Sequence, residues 1–404
     1  MNIVIICDYG SIHGGDSKVA ITSAVALNQL GHNVLYFTAV SPIDPKLRDS
    51  KIKAISTNQN DILSEPNRIQ ASIQGIRNFK AERLLKQTLN TLDPKDTIIH
   101  IHSVAKAISP SIYKIIYEAN FKFITTLHDY FLACPNGSFY NYGKKQICEI
   151  EPLSLKCLFE NCDSRNYGHK IWRYVRTIIQ RDYYRIPEKI PYFIAISELS
   201  KKVLKKYLPQ NSKIFRLDNP IDIKKTQRIP IQDSSVFLYV GRLSPEKGVE
   251  ILLKNSNYLT KDLMIVGNGP MFSDLKKRYK KVVFTGWKNK EEVNKIMKNA
   301  RAVIYPSFWY EVQPLVVLES LAQGIPVVVP DTSASKELII DGETGLLFKG
   351  GDKEDLLKKM KQLENTAFAN KLGENAYNLY WKNPFSIERH VKKLINIYKY
   401  ILKN

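Results

Sequence analysis

The stretch NIVIICDYGSIHGGDSKVAITSAVALNQLGHNVLYFT, residues 2–38, holds an apolar run, a glycine-containing turn, a helical pattern and a second apolar run. This order predicts a strand, a helix and a second strand that lies parallel to the first. The same alternation continues with TIIHIH (97–102), FKFITTLH (121–128) and YFIAIS (192–197). It restarts with VFLYVG (236–241), DLMIVGNG (262–269), KVVFTGW (281–287), RAVIYPS (301–307) and IPVVVP (325–330). The sequence therefore predicts an α/β protein with two Rossmann-like domains.

Length and proline spacing suggest where the domains divide. A chain of 404 residues is too long for one ordinary hydrophobic core. The alternation breaks over 207–235, where Pro209, Pro220 and Pro230 are separated by polar residues, so we expect an interdomain linker there. The N-terminal domain then spans 1–206 and the C-terminal domain 236–383. Residues 384–404 carry apolar side chains at helical spacing, which predicts a helix that packs back on the N-terminal domain.

Composition restricts the class of protein. A hydrophobic fraction of 44% and a charged fraction of 25% are typical of globular proteins. No uninterrupted apolar run reaches the roughly 18 residues of a membrane span, so we expect a cytoplasmic protein. The net charge of +21 favours anionic partners. About half of this excess lies between Arg165 and Arg228, which suits peripheral contact with an anionic membrane but equally a solvated basic surface.

The first glycine-containing turn is a candidate phosphate site. Two such domains in tandem predict a cleft lined by the carboxyl ends of both sheets, where helix N-termini and glycine turns offer amides to phosphate. Gly14 and Gly15 allow close backbone approach, and Asp16 or Ser17 can cap the next helix. A tight turn without a ligand would have the same sequence.

The stretch EVQPLVVLESLAQGIPVVV, residues 311–329, is the strongest local signal. Pro314 suits the first turn of a helix, which places Glu311 in the preceding loop and Glu319 inside the helix. The amides of Leu315 and Val316 would then face a phosphate. The Glu319 carboxylate could accept hydrogen bonds from the two hydroxyls of a ribose. Taken alone, both glutamates could also be helix-edge residues in solvent.

Two cations follow the first strand of the second domain. VGRLSPEKGVEILL places Arg242 and Lys247 on a loop that opens a helix. There they could hold a diphosphate and neutralise the charge of a departing one. The same region and the ends of later strands add further candidate donor-binding residues: Gly241, Asn268, Gly269 and Trp287.

With these motifs together, the chain resembles the fourth family of retaining GT-B glycosyltransferases (glycosyl transferases group 1) over nearly all its length. The resemblance rests on HGGDSKV (13–19), TLHD (126–129), ISELSKKVL (196–204), LDNPIDI (217–223), GRLSPEKG (241–248), DGETGLLF (341–348) and the Glu-x7-Glu pair of Glu311 and Glu319. Many relatives have Gly or Phe shortly after the first glutamate, where this chain has Val312 and Gln313. That departure concerns the identity of the donor sugar more than the activity.

The resemblance implies a metal-independent transferase that needs no cofactor. It would move a hexose-type sugar, with retention, from a nucleotide diphosphate sugar to a glycan or lipid-linked acceptor. UDP is favoured over GDP as the nucleotide, and bacterial surface polysaccharide synthesis (lipopolysaccharide, capsule or exopolysaccharide) is the expected pathway. Arg242 and Lys247 would bind the donor diphosphate, Glu319 the ribose and Glu311 the sugar, while His128 would lie beside the reacting centre.

Four cysteines, Cys134, Cys148, Cys157 and Cys162, lie within 29 residues. Their intervals are wider than the usual zinc-ribbon pairs, although four thiols would be enough for a structural zinc. Free or redox-active thiols are the alternative.

Three other functions remain open. A GT-B sugar-nucleotide epimerase or phosphorylase would share the fold, but the Glu-x7-Glu pair with GRLSPEKG favours a transferase. A catalytically dead scaffolding relative is opposed by intact Arg242, Lys247, Glu311 and Glu319. A basic nucleic-acid-binding protein would explain the charge, but the sequence carries no known nucleic-acid-binding signature.

Overall fold

The computed structural model describes residues 1–231 and 234–404. The chain forms two compact units: Met1–Phe139 with Glu149–Pro220 and Ile387–Asn404, and Tyr140–Cys148 with Ile221–Ser386. Each unit holds one large parallel sheet. The predicted α/β class with two Rossmann-like domains is therefore confirmed. A search of the helices in 1–231 and 234–404 finds none with the length and hydropathy of a membrane span.

The strands in chain order are β1 (Asn2–Cys7), β2 (Asn33–Thr38), β3 (Lys53–Ser56), β4 (Thr97–Ser103), β5 (Lys122–Leu127), β6 (Tyr140–Asn141), β7 (Gln146–Ile147), β8 (Tyr192–Ala195), β9 (Lys213–Arg216), β10 (Val236–Val240), β11 (Asp262–Val266), β12 (Val283–Gly286), β13 (Ala300–Ile304), β14 (Val327–Pro330) and β15 (Leu346–Phe348). The α-helices are α1 (Gly15–Gln29), α2 (Pro45–Asp49), α3 (Arg68–Ile76), α4 (Phe79–Leu89), α5 (Ile112–Glu118), α6 (Leu155–Phe159), α7 (Tyr167–Asp182), α8 (Glu198–Leu204), α9 (Val249–Leu253), α10 (Phe272–Arg278), α11 (Lys290–Met297), α12 (Leu315–Gln323), α13 (Lys353–Gln362), α14 (Thr366–Lys382) and α15 (Ile387–Lys403). Short 3₁₀ turns span Lys205–Tyr207, Pro245–Lys247, Ser256–Tyr258 and Ala334–Leu338.

The sheet of the first unit has the order β3-β2-β1-β4-β5-β8-β9, and every pair of neighbouring strands is parallel. Strand β4 is buried along its whole length because helices cover both faces of the sheet. The strand order reverses between β1 and β4. In open α/β sheets such a switch point opens a crevice at the carboxyl ends of the strands, where ligands bind.

The sheet of the second unit has the order β12-β11-β10-β13-β14-β15 and is also parallel throughout. Consecutive residues of β10 face opposite sides of the sheet. Phe237 and Tyr239 pack into one buried cluster, and Leu238 packs into the other. Two covered faces explain why the strands of this unit are continuous apolar runs instead of alternating ones. The switch point here lies between β10 and β13.

Two segments differ from the sequence-based prediction. Residues 207–235 were predicted to be a linker, but β9 within them is the seventh strand of the first sheet, paired with β8. Its four residues are too few for periodicity to reveal them. The hairpin of β6 and β7 was predicted to belong to the N-terminal domain, yet it is part of the second unit. The chain thus enters the second unit at Tyr140, returns to the first at Glu149, and passes to the second again between Pro220 and Ile221.

Helix α15 belongs to the first unit, where it packs on α1 and β4. Its apolar stripe includes Val391, Leu394 and Ile401, all buried. Buried polar contacts fix its position as well. The Tyr398 hydroxyl lies 2.6 Å from Nδ1 of His100. The His390 ring lies 3.1 Å from the Ser23 hydroxyl and 2.8 Å from the carbonyl oxygen of Asp218.

Candidate active site

The loops after β10 and β11 are held together by backbone hydrogen bonds at the switch point of the second unit. The Leu243 amide donates to the Asn268 carbonyl at 3.0 Å, and the Met271 amide donates to the Leu243 carbonyl at 3.1 Å. Gly267 has φ +136°, and a Cβ there would lie 1.9 Å from the Gly241 carbonyl oxygen. Only glycine permits this approach. The glycines of GRLSPEKG and VGNGP thus bring two loops side by side.

A second close approach of two backbone segments places Lys247 beside the loop after β13. Gly248 has φ +68°, and a Cβ there would lie 1.9 Å from the Pro306 carbonyl oxygen. Beside this contact the Phe308 amide donates to the Glu246 carbonyl at 2.8 Å. The 3₁₀ turn Pro245–Lys247 is therefore pressed against the residues that lead to Glu311.

Glu311 is the centre of a buried polar cluster. Its Oε2 accepts hydrogen bonds from Lys247 Nζ at 2.5 Å, Trp309 Nε1 at 2.8 Å and the Tyr305 hydroxyl at 2.9 Å. The Ser307 hydroxyl lies 3.3 Å from the same oxygen. The side chains of Lys247 and Glu311 are only 16% and 8% exposed. A carboxylate with this many donors holds the lysine in one place.

The pair keeps both groups charged. Burial alone would lower the pKa of Lys247, but the Glu311 carboxylate outweighs it and raises the pKa above its ordinary value. Burial alone would raise the pKa of Glu311, but the Lys247 ammonium and the surrounding donors hold it below its ordinary value. A fixed ammonium at a switch point can bind phosphate. Within residues 1–231 and 234–404 Glu311 is the one carboxylate that pairs with Lys247, so the ammonium has donor capacity left for a ligand.

The helix that follows Glu311 begins almost where the sequence predicts. Pro314 is the N-cap residue of α12 and not a residue of its first turn, so the helix starts one position later, at Leu315. Within the residues that the structure describes, the amides of Leu315 and Val316 have no hydrogen-bond acceptor, as expected for a first helical turn. Glu319 lies on the same helix and is half-buried.

The other predicted donor-site residues occupy strand ends of the same sheet. Arg242 is exposed, in contrast to Lys247, and its carbonyl accepts a hydrogen bond from the Tyr239 hydroxyl at 2.8 Å. Asn268 is exposed and its side chain accepts from the Gly269 amide at 2.8 Å. Trp287 follows β12 at the sheet edge and is 73% exposed. A large aromatic surface left in solvent is available to stack on a ring.

In the first unit, the glycine-containing turn follows β1 and leads into α1. Gly14 is the N-cap residue, and the Ser17 hydroxyl accepts from the amides of His13 at 2.9 Å and Gly14 at 3.1 Å. Of the two helix-capping candidates, Ser17 is thus the one that bonds back to the turn. A Cβ on Gly15 would meet no atom within 4 Å. The chain itself does not require glycine at position 15, so the open backbone there is free for a ligand.

His128 stands directly after β5 as one of three neighbouring histidines. Its Nε2 lies 3.0 Å from Nδ1 of His102, which is on β4. His100, two residues earlier on the same strand, is bonded to Tyr398 and, at 2.6 Å, to the Thr126 hydroxyl. Nε2 of His102 is buried and has no hydrogen-bond partner among the described residues. His102 therefore orients His128, and it is also one of the residues that line a small cavity at the ends of β4 and β5.

Burial keeps these histidines neutral. It lowers the pKa of His128 to about 4, against an opposing contribution from Asp16, and that of His390 also to about 4. His100 and His102 are lowered as well, again mainly by burial. At neutral pH His128 is thus an uncharged hydrogen-bonding group and not an acid.

Acidification is expected to destabilise the first unit. An unfolded histidine takes up a proton near pH 6.5, whereas these folded ones resist it, so the free energy of unfolding falls as pH drops from 6.5 toward 4. His128 and His390 would each contribute roughly 3 kcal/mol to this loss. The pKa of Asp129, raised by burial to about 6, acts in the opposite direction. Denaturant unfolding between pH 7.5 and 5 measures the slope, which His390→Gln should reduce. A flat profile would contradict the neutral, buried histidines.

The four clustered cysteines do not gather into a metal site in the part of the chain that the structure describes, where no group of three or more His, Cys, Asp or Glu side chains could hold an ion. Cys148 is in the second unit, and the other three are buried in the first. Lys170 Nζ donates to Cys157 Sγ at 3.2 Å, and Cys134 Sγ lies 3.0 Å from the Asn136 side-chain oxygen. The zinc prediction has no support in this arrangement.

Sequence reasoning missed several partners of the predicted residues. Tyr305, Ser307 and Trp309 surround Glu311. The stretch RAVIYPSFWYE, in which polar and aromatic residues follow a strand, is the sequence feature that could have identified them. His100 and His102 had a signal too, because residues two apart on a strand share one face. Their importance depends on β4 lying beside β5, which the sequence does not state.

Comparisons with known proteins agree with this description. Residues 221–379 match the family described as Glycosyl transferases group 1. An Escherichia coli UDP-Gal:alpha-D-GlcNAc-diphosphoundecaprenol alpha-1,3-galactosyltransferase is 26% identical over 181 residues, which cover 41% of this chain and 46% of that protein. The chain spans less than half the length of the first three curated relatives that it matches.

Solved structures extend the likeness over the whole chain. Anabaena HepE in complex with UDP has a TM-score of 0.68 at 16% identity, with 99% of this chain and 100% of that chain covered. Sucrose-phosphate synthase from Thermosynechococcus elongatus has a TM-score of 0.73 at 18% identity, with 100% and 99% covered. At these identities the similarity concerns the fold, which is the two-domain fold of GT-B glycosyltransferases.

Proposed function

We propose that this protein is a retaining glycosyltransferase that moves a hexose-type sugar from a nucleotide diphosphate sugar to a glycan or lipid-linked acceptor. One observation carries the proposal. A buried lysine, Lys247, is fixed by Glu311 at the switch point of the second unit, and Glu311 lies just before α12, whose first amides, those of Leu315 and Val316, have no acceptor in the described part of the chain. Such a set of donors fits a diphosphate, and the matched family of residues 221–379 supports the same reading.

The proposed chemistry assigns each residue a separate task. Lys247 and Arg242 neutralise the charge that develops on the outer phosphate as the nucleotide departs, because fixed cations stabilise a transition state most where charge is forming. The half-buried Glu319 accepts hydrogen bonds from the ribose. Glu311 holds Lys247 when no donor is bound and contacts the sugar when one is. No step is assigned to a metal ion.

The first unit is proposed to bind the acceptor. Gly15 leaves an open backbone for a ligand, and neutral His128 can donate or accept a hydrogen bond at the reacting centre without adding charge. His102 would act as a positioning residue through its 3.0 Å contact with His128. In the proposed retaining mechanism the leaving phosphate helps to take the acceptor's proton.

A donor screen tests the proposal. Thermal unfolding would be recorded with UDP-, GDP- and ADP-sugars, since a ligand that binds only the folded state raises the melting temperature. We expect UDP-sugars to give the largest shift, and transfer assays with the stabilising donor should yield a product of unchanged anomeric configuration. Arg242→Ala should reduce the shift. If no nucleotide sugar stabilises the protein, or the product is inverted, the proposal is wrong.

Glu319→Ala is expected to raise KM for the donor more than it lowers kcat. Contacts to the ribose persist equally in the ground and transition states, so their loss weakens binding without raising the barrier of the bound complex. Steady-state kinetics with varied donor measures the two constants. Glu374→Ala, which removes an exposed carboxylate on α14, is the matched control. A fall in kcat with unchanged KM would contradict the ribose assignment.

The acceptor is proposed to be lipid-linked, and the protein to lie at the inner face of the cytoplasmic membrane. The basic stretch from Arg165 to Arg228 would favour an anionic leaflet by about 1 kcal/mol for each well-placed cation. A similar enzyme is named for a diphosphoundecaprenol acceptor. Flotation with phosphatidylglycerol vesicles should show binding that high salt abolishes. Absence of binding at low salt would remove this part of the proposal.

A further inference from the structure

A second polar cavity lies in the first unit, between α3 and α7. It has a volume of about 240 Å³, and its lining includes Arg68, Arg165, His169 and Arg173. Trp172 and apolar residues of 62–71 also line it. The two helices can approach this closely because α3 has Gly75 opposite the indole, where a Cβ would lie 2.6 Å from a ring carbon of Trp172.

The cationic groups of this cavity repel one another. Burial and then the neighbouring Arg173 and Arg68 lower the pKa of the Arg165 guanidinium. Burial and then Arg165 lower the pKa of His169, whose Nε2 lies 3.5 Å from Arg165 Nη1. Arg68 adds to the repulsion, because it is in the first turn of α3, where positive charge is unfavourable. Neither this turn nor the first turn of α7 contains an acidic residue.

The nearby carboxylates are already used within the protein. Asp163 is fully buried, forms an ion pair with Arg173 at 3.2 Å and accepts a hydrogen bond from the Arg165 amide. Asp61 accepts from the Tyr9 hydroxyl and from the amides of Leu63 and Ser64. In the described part of the chain, the Arg165 guanidinium has no hydrogen bond or ion pair with a carboxylate, and Asp163 and Asp61 only partly offset the lowering of its pKa. Its donors are therefore available to an external anion.

We propose that this cavity binds a phosphate ester, with Arg165, His169 and Arg173 contacting the phosphate oxygens and Trp172 contacting the apolar or sugar part of the ligand. Guanidinium groups bind phosphate through paired hydrogen bonds. The size of the cavity fits a phosphate with a small substituent. The residues that line this cavity belong to the first unit and those around Lys247 to the second, and the proposal does not depend on the proposed reaction.

Amide hydrogen exchange measured by mass spectrometry gives a local test. Exchange in peptides covering 66–72 and 165–172 would be followed with inorganic phosphate, with phosphatidylglycerol vesicles and with phosphatidylcholine vesicles. We expect phosphate or phosphatidylglycerol to slow exchange in both peptides. Phosphate acting alone would identify a soluble phosphate ester as the source, and protection by phosphatidylglycerol alone would identify a lipid headgroup. Any phosphate bound near Lys247 would protect other peptides.

Variants distinguish specific phosphate binding in this cavity from a general effect of positive surface charge. Arg165→Gln with His169→Gln should raise the ligand concentration for half-maximal protection about tenfold or more, since charge-assisted hydrogen bonds are lost. Both side chains lie at the surface, so folding should be retained. Arg83→Gln, an exposed arginine on α4, removes one charge elsewhere and should change nothing. The proposal is overturned by equal protection in the double variant, by equal protection from phosphatidylcholine, or by no protection at all.

Discussion

Arg242→Ala and Lys247→Ala are each expected to lower kcat by about 10²–10³. Departure of the nucleotide diphosphate places negative charge on its outer phosphate, and removal of one preorganised donor to such a charge typically costs that much. The structure supplies the preorganisation for Lys247, whose ammonium is fixed by Glu311 at 2.5 Å and lies 3.3 Å from the Tyr305 hydroxyl. Stopped-time or steady-state transfer assays at a saturating donor concentration measure the change in kcat.

The two variants differ in whether a loss of turnover can be attributed to catalysis alone or also to folding. Arg242 is exposed, so its loss should leave folding unchanged. The sequence predicted that Lys247 lies on a loop, but its side chain is largely buried and paired, so its loss leaves a buried carboxylate without its cation. Turnover must therefore be normalised to folded protein. Lys277→Ala, an exposed lysine on α10, is the control. Turnover within a few fold of wild type for both variants would show that the donor site is assigned wrongly.

Much of this site could be predicted because it depends on local chemistry. The apolar runs predicted the parallel strands, and Gly241 and Gly269, predicted as donor-binding residues, lie in the two loops that the structure brings side by side. Pro314 marked the start of α12 to within one residue. Glycine, proline and an apolar run each indicate the local backbone conformation at their own positions, so a single sequence is enough to predict these features.

What escaped prediction depends on residues far apart in the chain. Lys247 and Glu311 are 64 positions apart, and His102 and His128 are 26 apart. Their pairing requires the strand order that puts β13 beside β10 and β5 beside β4. Local pattern predicts that these strands exist but not which of them are neighbours. The same limit applies to β9, whose four residues become a strand only because β8 offers a free edge.

Glu311→Ala is expected to destabilise the protein by about 3–5 kcal/mol, because removal of one partner from a buried ion pair leaves the other charge uncompensated. Lys247 would then be a buried ammonium with one hydroxyl neighbour and two aromatic rings. Its pKa should fall, since the carboxylate that raises it is gone. Denaturant unfolding at pH 7 measures the loss, with Glu374→Ala on the surface of α14 as the control.

The double variant Lys247→Met with Glu311→Leu distinguishes a pair kept for function from one kept for stability. Both charges and their desolvation costs disappear together, so apolar replacements of similar size should recover most of the stability lost in Glu311→Ala. Recovery should be incomplete, because Trp309, Tyr305 and Ser307 lose their common acceptor. The double variant should also be catalytically inactive. Losses in the two single variants that simply add in the double variant would mean that the two charges do not interact, contrary to the 2.5 Å contact between them. A stable, inactive double variant would instead mean that the pair is retained for catalysis at no benefit to folding.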